Sequence, residues 1–198
     1  MRDFVIVTDS CCDLPKEYIY GNNIPFAMLP FSYNDKEYLD DLGQSLSQKQ
    51  FFDDLRDGAL PNTSQANSES FYNIFKPAAK RGQDIIYVGV SSGLSGTYNS
   101  ANIGKIAILE EFPSAIIYII DVLTASLGQG LMVRKAVEMK NADCYEEAVR
   151  LKEEILAKVS VKEVLIHYIG PVVGRFSGPG ALAVFFIGES RQHHVIDI

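Results

Sequence analysis

Apolar residues come in short unbroken runs separated by amphipathic stretches. DFVIV (3–7), DIIYVGV (84–90), SAIIYIID (114–121), VKEVLIHYI (161–169) and GALAVFFIG (180–188) read as strands. Between them the pattern shifts to helical spacing. KEYIYGN follows Pro15. QKQFFDDLRDG is capped by Ser45 or Ser47 and ended by Gly58. ESFYNIFKPAAKRG follows a cap at Asn67 or Ser68 and is interrupted or kinked at Pro77. GTYNSANIGKIAILEEF, TASLGQGLMVRKAVEMK (124–140) and CYEEAVRLKEEILAK (144–158) complete the set. The stretch IPFAMLPFSYNDKEYLD (24–40) holds Pro25 and Pro30 and reads as extended or edge chain. Continuous apolar strands alternating with helices predict an α/β protein whose parallel sheet is covered on both faces. Ligands in such sheets bind at the carboxyl ends of the strands. Three loops fall there: TDSCCD, SSGLSGTY and DVLTAS.

Those loops are rich in hydroxyls and poor in cations. SSGLSGTYNS (91–100) holds four serines, one threonine and two glycines, with no charge. Ser95, Gly96 and Thr97 stand where a helix should begin, and Gly93 and Gly96 let the backbone approach a ligand. Unpaired amides at a helix start suit an anion. A polyphosphate loop would add a lysine, so a carboxylate fits better. A serine-rich cap without a ligand fits the same residues. PNTSQANS (61–68), with Thr63 and Ser64, is a second cluster of this kind, and the two can converge on one anion. GVSSG (89–93) matches a nucleophile elbow, with Ser91 as nucleophile, Asp121 as orienting acid and His167 as the one internal histidine. His167 lies in an apolar strand pattern and LSGT separates Ser91 from its helix, which argues against a triad. In the glycine- and proline-rich GPVVGRFSGPGALAVFF (170–186), read as a turn feeding a buried strand, Arg175 and Ser177 can face a head group.

Composition narrows the function classes. With 47% hydrophobic residues in 198, the chain can bury a core. Its net charge of −7 and scattered Lys and Arg argue against nucleic acid. Cys11, Cys12 and Cys144 form no C-x-x-C, so neither a disulfide framework nor zinc is expected, and Cys11 and Cys12 read as small turn residues. No metal constellation appears. Asp40–Asp41 and Asp53–Asp54 read as surface charges. The start MRDFVIVTDS is acidic at position 3 and polar by residue 8, unlike a signal peptide, and the longest apolar runs are too short for a bilayer. A soluble, cytoplasmic protein is expected.

VTDSCCDLP, PNTSQ, VGVSSGLSGTYNSA, DVLTASLGQG and IGPVVGRFSGPGALAVFF, in that order, resemble the motifs of the DegV family of bacterial fatty-acid-binding proteins, which includes the lipid-binding subunits of fatty acid kinase. The resemblance spans nearly all of residues 4–190. It implies one long-chain fatty acid, such as palmitate, as ligand, with no other cofactor. Its carboxylate would be held by Thr63 of the T-S-Q motif and Ser95 of the L-S-G-T motif, with Ser64, Ser92, Gly96 and Thr97 in support. It implies a lipid-presenting protein, not a catalyst, with a fatty acid kinase catalytic subunit as the partner. Two departures stand out. The chain passes directly from VRKAVEMK (133–140) to NADCYEEAVRLKEEI (141–155), where the family carries further chain including a G-G-R motif. The closing motif reads GRFSGPG against the family's G-x-H-T-G-P-G, with Phe176 in the histidine's place. Together these predict an α/β lobe over 1–140, carrying the carboxylate loops, and a reduced α+β lobe over 141–198, which would need lipid or self-association to cover its apolar residues. Two other readings remain: a serine hydrolase using Ser91, and a regulatory remnant without lipid.

Overall fold

The computed structural model describes residues 3–33, 36–141 and 170–177. The expected helix 144–158, the strands 161–169 and 180–188, Cys144, His167 and nearly all of the 141–198 lobe lie outside the described residues. The elements run β1 (Phe4–Asp9), α1 (Lys16–Gly21), β2 (Phe26–Ala27), β3 (Pro30–Tyr33), β4 (Lys36–Leu39), α2 (Gln48–Arg56) and β5 (Asn62–Thr63). They continue with α3 (Ser68–Lys80), β6 (Asp84–Gly89), α4 (Thr97–Glu111), β7 (Ile117–Asp121), α5 (Leu127–Asn141) and α6 (Pro171–Ser177).

Four strands form a parallel sheet in the order β2-β1-β6-β7. Alternate residues of β1 and β6 feed its two faces, as the period of a strand requires. Val7, Ile85 and Tyr87 pack under α3 and α4 with Phe71, Phe75, Ala101 and Ile108. Ile6 and Val88 pack on the opposite face with Ile19 of α1 and Val133 and Val137 of α5. Both faces of the central strands are therefore covered, which explains their unbroken apolar runs. The edge strand β7 is covered on one face only: Ile117 is buried, but Tyr118 and Ile120 are exposed.

The 24–40 stretch divides. Phe26–Ala27 pairs with the end of β1, whereas β3 and β4 form a hairpin that β5 extends into an antiparallel sheet of order β4-β3-β5. Phe31 and Tyr33 from this sheet meet Phe51 of α2 edge-on at 5.7 and 5.9 Å, giving the annex its own aromatic core. The helix starts follow side-chain capping: Ser47 accepts from Gln50 N and Asn67 from Ser70 N. α3 runs through Pro77 without interruption. Pro77 sits in its last turn, where the missing N–H removes one bond near an end that frays in any case.

Two expectations need correction. Asp40 is not a surface charge but 3% exposed, with its amide bonded to Leu29 O at 2.9 Å. Residues 171–177 are helical, not a turn. Pro171 takes the first helical position, where its missing N–H costs nothing, and Gly174 N closes back on Gly170 O at 2.7 Å. Val172 then joins the core on the α3/α4 side of the sheet.

Candidate functional site

The loop after β6 is built from its own hydroxyls. Ser95 N bonds to Ser91 O at 3.1 Å, and Gly93 N donates to Ser91 Oγ at 3.2 Å. Gly96 stands at the N-cap of α4 with no side-chain cap, and Thr97 N instead donates to Ser95 Oγ at 3.2 Å. The Ser95 and Thr97 hydroxyls share a further bond of 2.9 Å. Thr97 is fully buried, so its role is to brace the loop from beneath, while Ser95 is half-buried at the surface.

The second hydroxyl loop lies directly against the first. Ala66 N donates to Thr97 Oγ1 at 3.2 Å, and Gln65 Nε2 donates to Ser100 Oγ at 3.1 Å. The Gln65 side chain covers Gly96 so closely that a methyl group there would overlap Gln65 Oε1. Thr63, half-buried, pairs with Phe31 in β5, and Ser64 N bonds to Pro30 O at 3.0 Å. Two loops about thirty residues apart are thereby locked into one rim. Ser92 turns away from it: its amide reaches both oxygens of Asp121 at 3.3 Å. Gln65 was not among the candidate residues, although its place in PNTSQ was the available signal.

The elbow residues are otherwise engaged. Ser91 is buried, with its hydroxyl accepting from Gly93 N. Asp121 accepts from the amides of Ser92 and Leu123. Burial works to raise its carboxyl, but the Ser92 hydroxyl and these amides outweigh it and hold Asp121 below the usual range. Asp121 thus closes its own loop.

Beneath the rim lies an acidic centre. Asp9, at the end of β1, is fully buried and accepts from Tyr87 OH at 2.6 Å, Val90 N at 3.0 Å and Cys11 N at 3.0 Å. Burial lifts its carboxyl above the ordinary range despite these donors. Asp13 follows with a left-handed backbone (φ 49°) and accepts from Gly170 N at 3.0 Å. Burial raises it well above the ordinary range, and it raises Asp40 to about 7. Cys11 and Cys12 are buried free thiols in the intervening turn, and burial pushes both up, away from the reactive thiolate. Arg175 of α6 donates through Nε to Pro61 O at 2.6 Å and stacks on Phe176 at 4.9 Å. This places the closing motif beside the strand that carries Thr63. Among the described residues no group of three or more His, Cys, Asp or Glu could hold a metal, and no helix is long and apolar enough to cross a membrane.

Known proteins share the sequence pattern and fold of this lobe. The family described as "Uncharacterised protein, DegV family" matches residues 3–144. A DegV domain-containing protein of Clostridium perfringens is 30% identical over 290 aligned positions, covering 97% of this chain and all of the relative. Since 290 exceeds 198, at least 92 positions of that alignment stand opposite no residue here. Among solved structures, a stearic-acid-binding protein from Eubacterium ventriosum superposes with a TM-score of 0.66 at 28% identity, covering 77% of this chain and 52% of that one. A fatty-acid-binding DegV family protein from Thermus thermophilus gives 0.64 at 30%, covering 79% and 53%. The chain thus spans about half the length of the solved structures it matches. With the family's sequence pattern spanning the whole sheet lobe and the same fold in its solved members, this chain belongs to the DegV family.

Proposed function

We propose that this chain binds one long-chain fatty acid and presents its head group, with the carboxylate taken by the Thr63 and Ser95 hydroxyls. The observation that carries this reading is the lock between the two loops through Gln65–Ser100 and Ala66–Thr97. It supports a shared rim for Thr63 and Ser95 at the carboxyl end of the sheet. Ser95 Oγ accepts from Thr97 N and donates to Thr97 Oγ1, so an incoming anion would take the Ser95 proton in exchange for that internal hydroxyl bond. The amides of the uncapped first turn of α4 supply further donors. Ser64, Gly96 and Thr97 shape and support the rim, and Ser92 supports it indirectly by tying the loop to Asp121. Neutral donors hold a single negative charge and leave its oxygens approachable to a partner. That suits a carrier serving a fatty acid kinase catalytic subunit better than an enzyme. The division into a carboxylate-binding lobe, 1–140, and a reduced lobe, 141–198, belongs to the same proposal. The solved relatives from Eubacterium ventriosum and Thermus thermophilus, described as fatty-acid-binding, support it.

A second reading is favoured by one observation, the 92 or more positions without counterpart: a remnant that has lost its lipid. Binding measurements separate the two. Charge-assisted bonds from a hydroxyl are worth roughly 1.5–3 kcal/mol each, about ten- to over a hundred-fold in affinity. Ser95→Ala and Thr63→Ala should each weaken palmitate binding by that margin with the fold intact, and Ser91→Ala should matter less. Equal affinities across all four proteins would refute the residue assignment. Native mass spectrometry showing no retained acid and titration showing no palmitate uptake would favour the remnant.

A further inference from the structure

The rim explains Thr63 and Ser95 but leaves the acidic centre without a task. Asp13 and Asp40 come from different loops and meet at Gly170. Asp13 Oδ1 accepts the Gly170 amide, and a methyl group on Gly170 would overlap that oxygen and lie 3.5 Å from Asp40 Oδ2. Both carboxyl groups are buried, and Asp13 Oδ2, Asp40 Oδ2 and Ser126 Oγ have no hydrogen-bond partner. The Ser126 hydroxyl lies beside Asp13 and the Ser10 hydroxyl beside Asp40, without closing good bonds. The other titratable groups facing the pair among the described residues are Asp9 on β1, Cys11 and Cys12 in the next turn, and Asp41. None carries positive charge. Gly170, just before α6, contributes its amide. Two buried carboxylates with no counter-ion among the described residues are costly, so the joint is satisfied when protons remain on the pair.

The joint matters because of what hangs from it. Gly170 leads straight into α6, whose Arg175 is bonded to Pro61, two residues before Thr63. We propose that Asp13 and Asp40 are positioning residues for the lipid site: a buried carboxyl pair that clasps Gly170, holds α6 and Arg175 against the strand leading to Thr63, and loosens when the pair loses its protons. This rests on the fatty-acid reading of Thr63 and Ser95. The Gly170 and Ser126 contacts favour an ionised Asp13, and Ser10 and the Leu42 amide favour an ionised Asp40, but burial outweighs them in both.

The sign follows from linkage. A carboxyl raised in the folded protein binds a proton more tightly there than in the unfolded chain, so its contribution falls as pH rises from the ordinary carboxylate value to the folded one. For Asp40 that window runs from 3.8 to about 7. Above it Asp40 is charged, and the clasp is weaker.

The test compares wild type with Asp40→Asn and Asp13→Asn at pH 6.0 and 8.5. Readouts are palmitate affinity, the melting temperature of lipid-free protein, and hydrogen exchange of residues 170–177 taken relative to the intrinsic, base-catalysed rate at each pH. Wild-type affinity should fall about tenfold or more from the lower to the higher pH. The lipid-free melt should fall and exchange in α6 should quicken over the same range. Asp40→Asn, neutral throughout, should flatten all three slopes, and comparing slopes cancels titration of palmitate itself. Equal slopes in wild type and Asp40→Asn, or α6 exchange that ignores pH, would overturn the clasp while leaving the lipid reading standing. Should either variant fail to fold, the wild-type exchange of α6 at the two pH values decides alone. Absence of palmitate binding in every protein at both pH values would instead overturn the lipid reading. The lipid-free melt and exchange would then still decide the clasp.

Discussion

Gln65 lies across Gly96 and ends on Ser100, donating from Nε2 to Ser100 Oγ at 3.1 Å. This one side chain joins the two hydroxyl loops and occupies the space that a Cβ at position 96 would need.

Gly96→Ala should therefore displace Gln65 and part the loops. We expect palmitate affinity to fall by about an order of magnitude, the equivalent of roughly 1.4 kcal/mol. Gln65→Ala alone loses the bond but frees the space, so the double variant should be much less impaired than the sum of the singles. Calorimetric titration of the four proteins checks this. Strict additivity would mean that the two residues do not meet in solution.

Tyr87 and Asp9, 78 residues apart, share a buried 2.6 Å bond. Tyr87→Phe should destabilise the fold by about 1–3 kcal/mol, because it leaves a buried carboxyl short of a donor. The bond favours ionised Asp9, so its removal lifts an already raised carboxyl further. Because the bond favours the ionised carboxyl, the loss should grow as pH rises and shrink as it falls. Urea unfolding at pH 5 and pH 8 measures the difference, and a larger loss at pH 5 would contradict it.

Phe176 is 74% exposed beside Arg175 and can neither donate, accept nor carry a proton. Where the family's motif places a histidine, this chain should support little or no acyl-phosphate formation with a fatty acid kinase catalytic subunit, ATP and oleate. Hydroxamate trapping of the product is the measurement. Abundant product would show that the histidine is dispensable for transfer.

Local patterning made most of the described sheet lobe legible before the structure. The caps at Ser47 and Asn67, the strands β1, β6 and β7, and the helix starting at Thr97 all follow from residues within a few positions of each other. What escaped depended on distance. Asp40 reads as polar surface because its neighbour is Asp41, and its burial is decided by Leu29, Ser10 and Gly170, none of which is adjacent in sequence. Gly170, Pro171 and Gly174 signal a turn by composition. They form a helix because Val172 has a core to enter and Arg175 a carbonyl to reach. The rim was legible as two separate hydroxyl clusters. The residue joining them, Gln65, declares itself only through contacts 31 to 35 positions away.

The Asp9 carboxylate has one more consequence. β1 sends its chain to the face of α1 and β6 sends its chain to the face of α4, so a crevice opens between their carboxyl ends. In doubly wound sheets that crevice is where nucleotides settle their phosphates. Here Asp9 fills it from within, drawing the Val90 and Cys11 amides and the Tyr87 hydroxyl onto its own oxygens. The donors that would welcome a phosphate are already taken by an internal carboxyl group. On the proposed reading an acidic ligand goes instead to the outer rim, at the hydroxyls of Thr63 and Ser95.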